Sequence, residues 1–154
     1  MHFEAHTPEE MIALGRILAY RMPQQGAVIV SGELGAGKTT LIKGIAAERA
    51  GVDPAVVSSP TFALIHEYGE PPTVYHLDLY RLETDAEVLG LGLIDLLEED
   101  ALVLIEWGER FVHLIGAGAA QLTISEIPLS PGTSARRVLY TSPAPSSVAP
   151  SSLA

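Results

Sequence analysis

Apolar and polar positions along the chain predict short strands separated by helices and turns. Residues 27–31 and 101–106 are almost continuously apolar. Such runs are typical of strands in a parallel sheet that is buried on both faces. Residues 73–80 alternate between apolar and polar side chains, and residues 2–6 predict a short strand at the edge of the sheet. We therefore expect a sheet with its two most apolar strands near the middle.

Three segments carry apolar residues at helical spacing. The first helix begins after Thr7, which we predict to be its N-cap, with Glu10 completing a capping box, and it ends near Pro23. A second helix is predicted over residues 40–50, and an acidic one over residues 85–97. Helices that alternate with apolar strands in this way are typical of α/β folds.

The remaining segments predict further strands and a tail without a core. Residues 60–68 predict a strand or an extended switch segment, and residues 121–127 and 137–141 predict two strands on either side of a Pro-Gly turn. The residues that follow are mostly Ser, Pro and Ala, which have little to bury. The prediction is one domain over residues 1–141 and a disordered tail over residues 142–154.

The turn after the first buried strand carries the strongest chemical signal. Residues 32–39 read Gly-Glu-Leu-Gly-Ala-Gly-Lys-Thr, which matches the phosphate-binding pattern G-x-x-x-x-G-K-[ST]. In such a loop backbone N–H groups converge on phosphate oxygens, the lysine reaches the β- and γ-phosphates, and the hydroxyl binds Mg²⁺. A dinucleotide-binding turn is the alternative, but that turn does not require Lys-Thr. The residues predicted to contact the nucleotide here are Glu33, Leu34, Gly35, Ala36, Gly37, Lys38, Thr39 and Thr40.

The loop, together with the element order, predicts a three-layer P-loop NTPase fold of the α/β class, with a central, mostly parallel sheet and antiparallel C-terminal strands. Ligands in such folds bind at the carboxyl ends of the strands. Glu106 ends an apolar strand, where it is either a metal-facing carboxylate or an ordinary exposed acid. Asp78 lies within an apolar-flanked run, and its spacing alone leaves a metal-facing role and a polar-face role equally open.

Composition and charge restrict the classes of partner. The chain has 19 acidic and 9 basic residues, a net charge of −10, so autonomous binding of tRNA or DNA is disfavoured. Acidic residues crowd between positions 83 and 100, as a solvated helix face or a docking face for a basic partner would. No apolar run approaches the ~20 residues of a membrane span. The absence of cysteine and of a secretory signal leads us to expect a cytoplasmic protein.

Four motifs occur in a specific order: residues 32–40, Ser59-Pro60-Thr61-Phe62, His76-Leu77-Asp78-Leu79-Tyr80-Arg81 and Ile105-Glu106-Trp107. Together they resemble the TsaE family, also called YjeE, whose members are small bacterial P-loop ATPases needed for threonylcarbamoyl modification of an adenosine in tRNA. The resemblance covers residues 7–110 well and the C-terminal strands weakly.

The resemblance implies roles for several of these side chains. Lys38 and Thr39 would hold the phosphates of ATP and Mg²⁺, and Thr61 would lie near the γ-phosphate. Asp78 and Glu106 match the two acids around the metal and the hydrolytic water, although the sequence does not assign base and metal ligand between them.

The resemblance also implies contacts to the rest of the nucleotide. Trp107 matches an aromatic residue beside the acid, although simple packing would explain it equally well. Thr7 falls where the family contacts the adenine side, and its capping role already accounts for it. Either Arg136 or Arg137 would approach the nucleotide from the last strands.

Three further residues in or near the motifs have simpler explanations. Arg81 and Arg110 would act as charge-stabilising fingers or, more commonly for arginines among so many acids, form structural salt bridges. His76 is expected to be a hydrogen-bonded core histidine rather than a catalytic one.

The resemblance implies that Mg²⁺-dependent ATP hydrolysis resets a complex of TsaD, which transfers the threonylcarbamoyl group, with TsaB, its dimerisation partner. Two alternatives stay open. A small-molecule kinase shares the loop but needs an Arg-rich acceptor lid, and acids dominate residues 51–100 instead. A nucleotide-dependent binding module would hydrolyse ATP too slowly to matter.

Overall fold

A seven-stranded sheet organises the chain in a computed structural model that describes residues 1–143. Residues 144–154, most of the predicted tail, lie outside the described residues. The strands are β1 (His2–Ala5), β2 (Gly26–Ser31), β3 (Ile65–Tyr68), β4 (Val74–Asp78), β5 (Leu102–Glu106), β6 (Ala120–Ser130) and β7 (Thr133–Thr141). Their order is β1-β7-β6-β2-β5-β4-β3, so the two most apolar strands, β2 and β5, lie at the centre as predicted.

The central pairings are parallel and the outer ones antiparallel. β2 runs parallel to both β5 and β6, and β4 runs parallel to β5. The pairs β1–β7, β6–β7 and β3–β4 are antiparallel. Because β2, β4 and β5 share one direction, their carboxyl ends meet at one edge of the sheet, where parallel α/β folds bind ligands.

Helices cover both faces of the sheet and complete the predicted three-layer α/β fold. They are α1 (Pro8–Ala19), α2 (Lys38–Ala50), α3 (Asp85–Gly90), α4 (Leu93–Glu98) and α5 (Val112–Ile115), with 3₁₀ turns at Pro54–Val56 and Gly108–Phe111. α1 and α2 bury their apolar side chains against one face, and α3, α4 and α5 cover the other. Within residues 1–143, no helix combines the length and apolar character needed to cross a membrane.

Half of the predicted capping box is present at the start of α1, because the Glu10 carboxylate accepts from the residue before the N-cap rather than from Thr7. The Glu10 backbone N–H donates to Thr7 Oγ1 at 3.1 Å, and the His6 N–H donates to Glu10 Oε2 at 2.6 Å. The first bond satisfies one of the backbone donors that a helix start leaves unpaired, and the second ties the residue before the N-cap to the first turn of α1. They fix where β1 turns into α1, beside the loop before α2.

α1 and α2 approach each other closely through two glycines. A Cβ atom added to Gly44 would overlap the Ile12 carbonyl, and one added to Gly15 would overlap the Leu41 carbonyl. The helices can therefore pack backbone to backbone only with glycine at both positions. This packing holds the start of α2, and with it the phosphate-binding loop, against the N-terminal segment.

The predicted acidic helix over residues 85–97 is wrong as one continuous element. α3 ends at Gly90 and α4 begins at Leu93, because Gly92 adopts a left-handed φ of 84° that interrupts the helical backbone. Glycine reaches this conformation without steric cost and is a poor helix former.

Three predicted strands are corrected in length. The segment 60–68 forms a strand only at β3, and the residues before it form a turn in which the Leu64 N–H donates to the Pro60 carbonyl at 2.7 Å. The hairpin β6–β7 is longer than predicted and reaches the turn at Pro131-Gly132, with a register shift between Pro128 and Ser130.

Candidate nucleotide-binding site

The glycine-rich loop lies between the end of β2 and the start of α2, as its sequence predicts. Gly35 and Gly37 have left-handed φ values of 79° and 103°, which residues with a side chain rarely adopt. Gly37 is the N-cap of α2, and no side chain caps the helix. The first N–H groups of α2 therefore face the loop without a side-chain acceptor, an arrangement suited to an anion.

A cleft of about 550 Å³ opens above this loop. It brings together most of the residues that the sequence singled out, from four separate parts of the chain. Its walls are Leu34, Gly35, Ala36, Gly37, Lys38, Thr39, Thr40, Ser59, Thr61, Asp78, Tyr80, Glu106 and Trp107. Glu33 does not line this cleft; it lines two neighbouring grooves.

The two predicted acids stand side by side at the floor of the cleft. Asp78 and Glu106 are the last residues of β4 and β5 and are opposite each other in the parallel pairing. Their exposed fractions are 5% and 3%. A buried carboxylate is costly unless a hydrogen bond or a cation compensates it, so this pair is suited to a cation.

The Asp78 carboxylate connects the floor of the cleft to the predicted switch. Its Oδ1 accepts the Tyr80 backbone N–H at 3.0 Å. Its Oδ2 lies 3.4 Å from Thr61 Oγ1 and 3.5 Å from Ser59 Oγ. These two hydroxyl contacts are long, which leaves Oδ2 able to accept a stronger partner.

The switch segment is anchored at its base by residues of α2 and β3. Lys43 Nζ donates to the Val57 carbonyl at 2.5 Å and to the Pro54 carbonyl at 3.2 Å. The Tyr68 hydroxyl lies 3.4 Å from both the backbone N–H and the carbonyl oxygen of Ser58. Burial raises the pKa of Tyr68, so its hydroxyl stays a neutral donor.

The other floor acid, Glu106, has a histidine partner. His76 Nε2 lies 3.2 Å from Glu106 Oε2, and both side chains are buried. This arrangement agrees with the prediction of a hydrogen-bonded core histidine. The second ring nitrogen of His76, Nδ1, is buried with no hydrogen-bond partner among residues 1–143.

The Lys38 ammonium group is turned onto the loop itself. Its Nζ donates to the Gly32 carbonyl and, at 3.1 Å, to the Glu33 carbonyl. It also lies 5.2 Å from the centre of the Trp107 ring, within the range of a cation–π contact. Trp107 has a left-handed φ of 61° and packs against Tyr80, with ring centres 4.9 Å apart.

The oxygen donors in the cleft suit Mg²⁺, which takes only part of its ligands from protein. They are too few for a metal ion that is bound by protein side chains alone. Thr39, Asp78 and Glu106 contribute one hydroxyl and two carboxylates to the same cleft. Across residues 1–143, no group of three or more His, Cys, Asp or Glu side chains could hold a metal. Mg²⁺ is ordinarily held by one or two carboxylates together with waters and substrate phosphates, which matches this donor set.

A smaller cavity of about 230 Å³ adjoins the loop on the side of α1. It shares Gly35, Gly37 and Thr40 with the main cleft, and its other lining residues are Ala5, His6, Thr7, Pro8, Met11, Ser134 and Arg136. Thr7 therefore borders this cavity in addition to capping α1.

Of the two arginines proposed on β7, only Arg136 lines this cavity. Its Nη1 donates to Ser134 Oγ at 2.9 Å and lies 3.5 Å from Glu126 Oε1. Arg137 points to the other face of the strand, where it pairs with Glu4 at 3.8 Å.

The two other arginines do not form the salt bridges expected of them. The Arg81 guanidinium lies 4.2 Å from the centre of the exposed Phe62 ring, and Arg110 donates to the carbonyls of Leu79 and Tyr80. Neither makes an ion pair within the described part of the chain. Backbone carbonyls also accept from a guanidinium, and the number of nearby acids in the sequence does not indicate which carbonyls the fold will bring close.

Two wall residues, Ser59 and Tyr80, were not predicted as site residues. Both fall inside quoted motifs, two positions from Thr61 and from Asp78 respectively. Their motif positions were the available signal, but only the folded chain shows that they turn toward the cleft.

Comparisons with known proteins identify the family and the fold of the chain. The family model described as "Threonylcarbamoyl adenosine biosynthesis protein TsaE" matches residues 5–137. In fold, the chain is similar to the crystal structure of Bacillus subtilis YdiB. That match has a TM-score of 0.69 and 24% identity and covers 91% of this chain and 83% of YdiB.

Three relatives carry the name "tRNA threonylcarbamoyladenosine biosynthesis protein TsaE". The Nostoc protein is 42% identical over 68% of this chain and 66% of its own length. The Rickettsia conorii protein is 37% identical over 71% of this chain and 62% of its own length. The chain therefore spans slightly less than two thirds of the length of these two relatives. The Bacillus subtilis protein is 34% identical over 87% of this chain and 80% of its own length. The extent of these matches shows that the chain belongs to the TsaE family.

Proposed function

We propose that this protein binds Mg²⁺–ATP, hydrolyses it, and acts on a complex of TsaB and TsaD in tRNA threonylcarbamoyladenosine biosynthesis. One observation carries the catalytic part: the phosphate-binding loop at the start of α2 opens into the same cleft as the buried carboxylates of Asp78 and Glu106. The names of the family and of the relatives support the assignment to this biosynthesis.

In this proposal the loop and the cleft floor divide the work. The loop amides and Lys38 bind the phosphates, and Thr39, Asp78 and Glu106 would hold the metal. Mg²⁺, when bound, neutralises charge on the phosphate oxygens. One of the two acids orients the attacking water toward the γ-phosphate. Thr61, hydrogen-bonded to Asp78, is the switch residue nearest that phosphate in our assignment.

The second cavity is our candidate for the nucleoside end of ATP. It opens next to the loop glycines, so a nucleotide whose phosphates lie on the loop can extend into it. Thr7 and Arg136 supply polar groups at its walls, and Met11 and Pro8 supply apolar surface. Pockets for small ligands ordinarily combine apolar walls with a few polar groups.

The acidic character of the chain makes direct tRNA binding unfavourable, so we expect partner proteins to contact the tRNA. With a net charge of −10, the chain carries no excess of cations to neutralise a phosphate backbone. We therefore assign tRNA contact to the partners, and propose that hydrolysis by this chain resets the TsaB–TsaD complex between rounds of modification.

The first test is ATP hydrolysis by the purified chain, alone and with the TsaB–TsaD pair from the same source. We expect slow hydrolysis alone, faster hydrolysis with the pair, and none with Lys38→Ala in either condition. A rate that does not respond to the pair would contradict the partner assignment. Screening small-molecule acceptors for a phosphorylated product would then test the kinase alternative.

A second test measures modification itself. Lys38→Ala and Glu106→Ala should still bind the pair, but fail to sustain more than one round of tRNA modification. Multi-turnover modification at the wild-type rate by either variant would contradict the resetting role. Binding of each variant to the pair, measured in parallel, separates lost hydrolysis from lost assembly.

A further inference from the structure

We infer that His76 is a positioning residue that fixes the orientation of the Glu106 carboxylate at the floor of the cleft. This inference rests on the proposed function, because it concerns a group that would face Mg²⁺ and the attacking water. It assigns to His76 a task beyond filling the core, and it follows from the burial of the ring, its partner and its unpaired nitrogen.

The position of His76 in the sheet brings its ring to the acids. It lies two residues before Asp78 on β4, and its partner in the parallel pairing is Leu104, two residues before Glu106 on β5. Side chains two residues apart on a strand share a face, so His76, Asp78 and Glu106 lie on the same side of the sheet. The His76 ring has no exposed surface.

Hydrogen bonding assigns the proton on the ring. Nε2 lies 3.2 Å from Glu106 Oε2, and Nδ1 has no partner in the part of the chain that the structure describes. If the proton were on Nδ1, a buried donor would have no partner. The unprotonated Nε2 and Glu106 Oε2 would then be two acceptors facing each other with no hydrogen between them. A proton on Nε2 instead donates to the carboxylate and leaves only an acceptor unpaired, which is the better arrangement. His76 is therefore the Nε2–H tautomer.

The unpaired Nδ1 argues against a packing role alone. A buried polar atom without a partner costs stability, and an apolar side chain of similar size would fill the same space without that cost. The hydrogen bond to Glu106 offsets this destabilisation. Among residues 1–143, His76 is the one side chain that hydrogen-bonds this carboxylate.

The backbone around Glu106 explains why such an anchor is needed. Glu106 is the last residue of β5, and Trp107 immediately turns away in a left-handed conformation with a φ of 61°. The strand therefore provides no following residue to confine the glutamate side chain. With Oε2 held by His76, rotation of the carboxylate is restricted, and Oε1 is left for the ligand.

Two substitutions separate positioning from packing. Gln at position 76 places an amide nitrogen near the site of Nε2, where it can donate to Glu106. Asn is shorter, and its amide corresponds to the Nδ1 position, so it does not reach. We expect His76→Gln to retain most of kcat and His76→Asn to lose about 10- to 100-fold, as outer partners of metal ligands typically do. KM for ATP should change little, because the phosphate-binding loop is untouched.

A second readout needs neither nucleotide nor metal. Urea unfolding of the free protein is measured for His76→Asn, Glu106→Met and the double variant, because methionine is similar in size to glutamate and has no oxygen to accept the bond. We expect the two effects to be non-additive, because each substitution alone breaks the same hydrogen bond. The ring ¹⁵N shifts of wild-type His76 should show a proton on Nε2. Additive effects, or a proton on Nδ1, would overturn the inference.

The controls distinguish this inference from the proposed function. A wild-type protein that neither binds nor hydrolyses Mg²⁺–ATP would refute the function, and the metal-free unfolding cycle would still decide the role of His76. Equal kcat in wild type, His76→Gln and His76→Asn would overturn the inference alone. So would a loss of activity in both variants that simply follows a loss of thermal stability.

Discussion

Asp78 and Glu106 are paired residues of adjacent parallel strands, and both carboxylates are almost completely buried at the same cleft floor. Neither acid has an arginine or lysine ion-pair partner within residues 1–143. Two neighbouring buried acids without such partners are an unfavourable arrangement for a free protein. We therefore predict that a cation completes the site that these two acids begin.

Removing either charge should strongly weaken metal-dependent chemistry while leaving the loop intact. We expect Asp78→Asn and Glu106→Gln each to lower the hydrolysis rate by about 100-fold and to raise the Mg²⁺ concentration needed for half-maximal activity. ATP binding in EDTA should be unchanged. Asp95→Asn, on the exposed side of α4, is the matched control and should behave as wild type. Unchanged Mg²⁺ dependence in both variants would contradict a metal site here.

The arginine pair on β7 offers a direct test of the second cavity. Arg136 lines that cavity, whereas Arg137 faces away from it and pairs with Glu4. We expect Arg136→Ala to weaken ATP binding by about 10-fold, the effect of losing one charge-assisted hydrogen bond. Arg137→Ala should leave affinity unchanged. Isothermal titration with ATP measures both, and equal affinities would place the nucleoside elsewhere.

Tyr75 should make stability sensitive to alkaline pH. Its hydroxyl donates to Glu99 Oε2 at 2.5 Å, and this bond, with burial, raises the pKa of Tyr75 to about 12. An unfolded tyrosine has a pKa of about 10. Between these values the unfolded chain loses the proton and the folded chain keeps it. The stabilisation is therefore complete below about pH 10 and is lost as pH rises through 12.

Urea unfolding from pH 8 to pH 12 measures this effect, with Tyr75→Phe as the comparison. The free energy of unfolding should fall more steeply with pH in wild type than in the variant. Other buried tyrosines titrate in both proteins, so the difference between the two curves isolates Tyr75. Parallel curves would show that Tyr75 is not linked to folding in this range.

The contact between α1 and α2 should not tolerate a methyl group. Gly44→Ala would force its Cβ into the Ile12 carbonyl, and we expect it to lower the free energy of unfolding by about 1–3 kcal/mol, as overpacking does. Gly90→Ala, where the added Cβ meets no atom within 4 Å, is the control and should be neutral or slightly stabilising. Chemical denaturation measures both, and equal stabilities would contradict the close helix approach.

Much of the fold was predictable because its central elements carry strong local signals. The apolar strands β2 and β5, the N-cap at Thr7 and the Gly-Lys-Thr loop are each determined by a few neighbouring residues. Their three-dimensional arrangement then follows from the connection rules of parallel sheets. Glu106 could be placed at the carboxyl edge of the sheet for the same reason, whereas Asp78 was assigned to the site only through the resemblance of its motif to the family.

What failed depended on single residues or on distant contacts. Gly92 broke a helix that the apolar spacing alone made continuous. The short helix α5 has four residues, too few for a periodic pattern to be visible in the sequence. Arg110 donates to the carbonyls of Leu79 and Tyr80, which lie about 30 positions away along the chain. The site roles of Thr7, Trp107 and Arg136 stay predictions until nucleotide binding is measured.

The hydrogen bonds that Lys38 makes to its own loop have a consequence for ligand choice. Its ammonium group donates to the carbonyls of Gly32 and Glu33, so an arriving phosphate competes with the backbone for the same donors. Binding is then an exchange, and only the difference between the two sets of bonds contributes to affinity. A small monoanion gains little from this exchange, whereas a polyphosphate gains many contacts at once. We expect the loop to select polyphosphates over singly charged anions, whatever base the nucleotide carries.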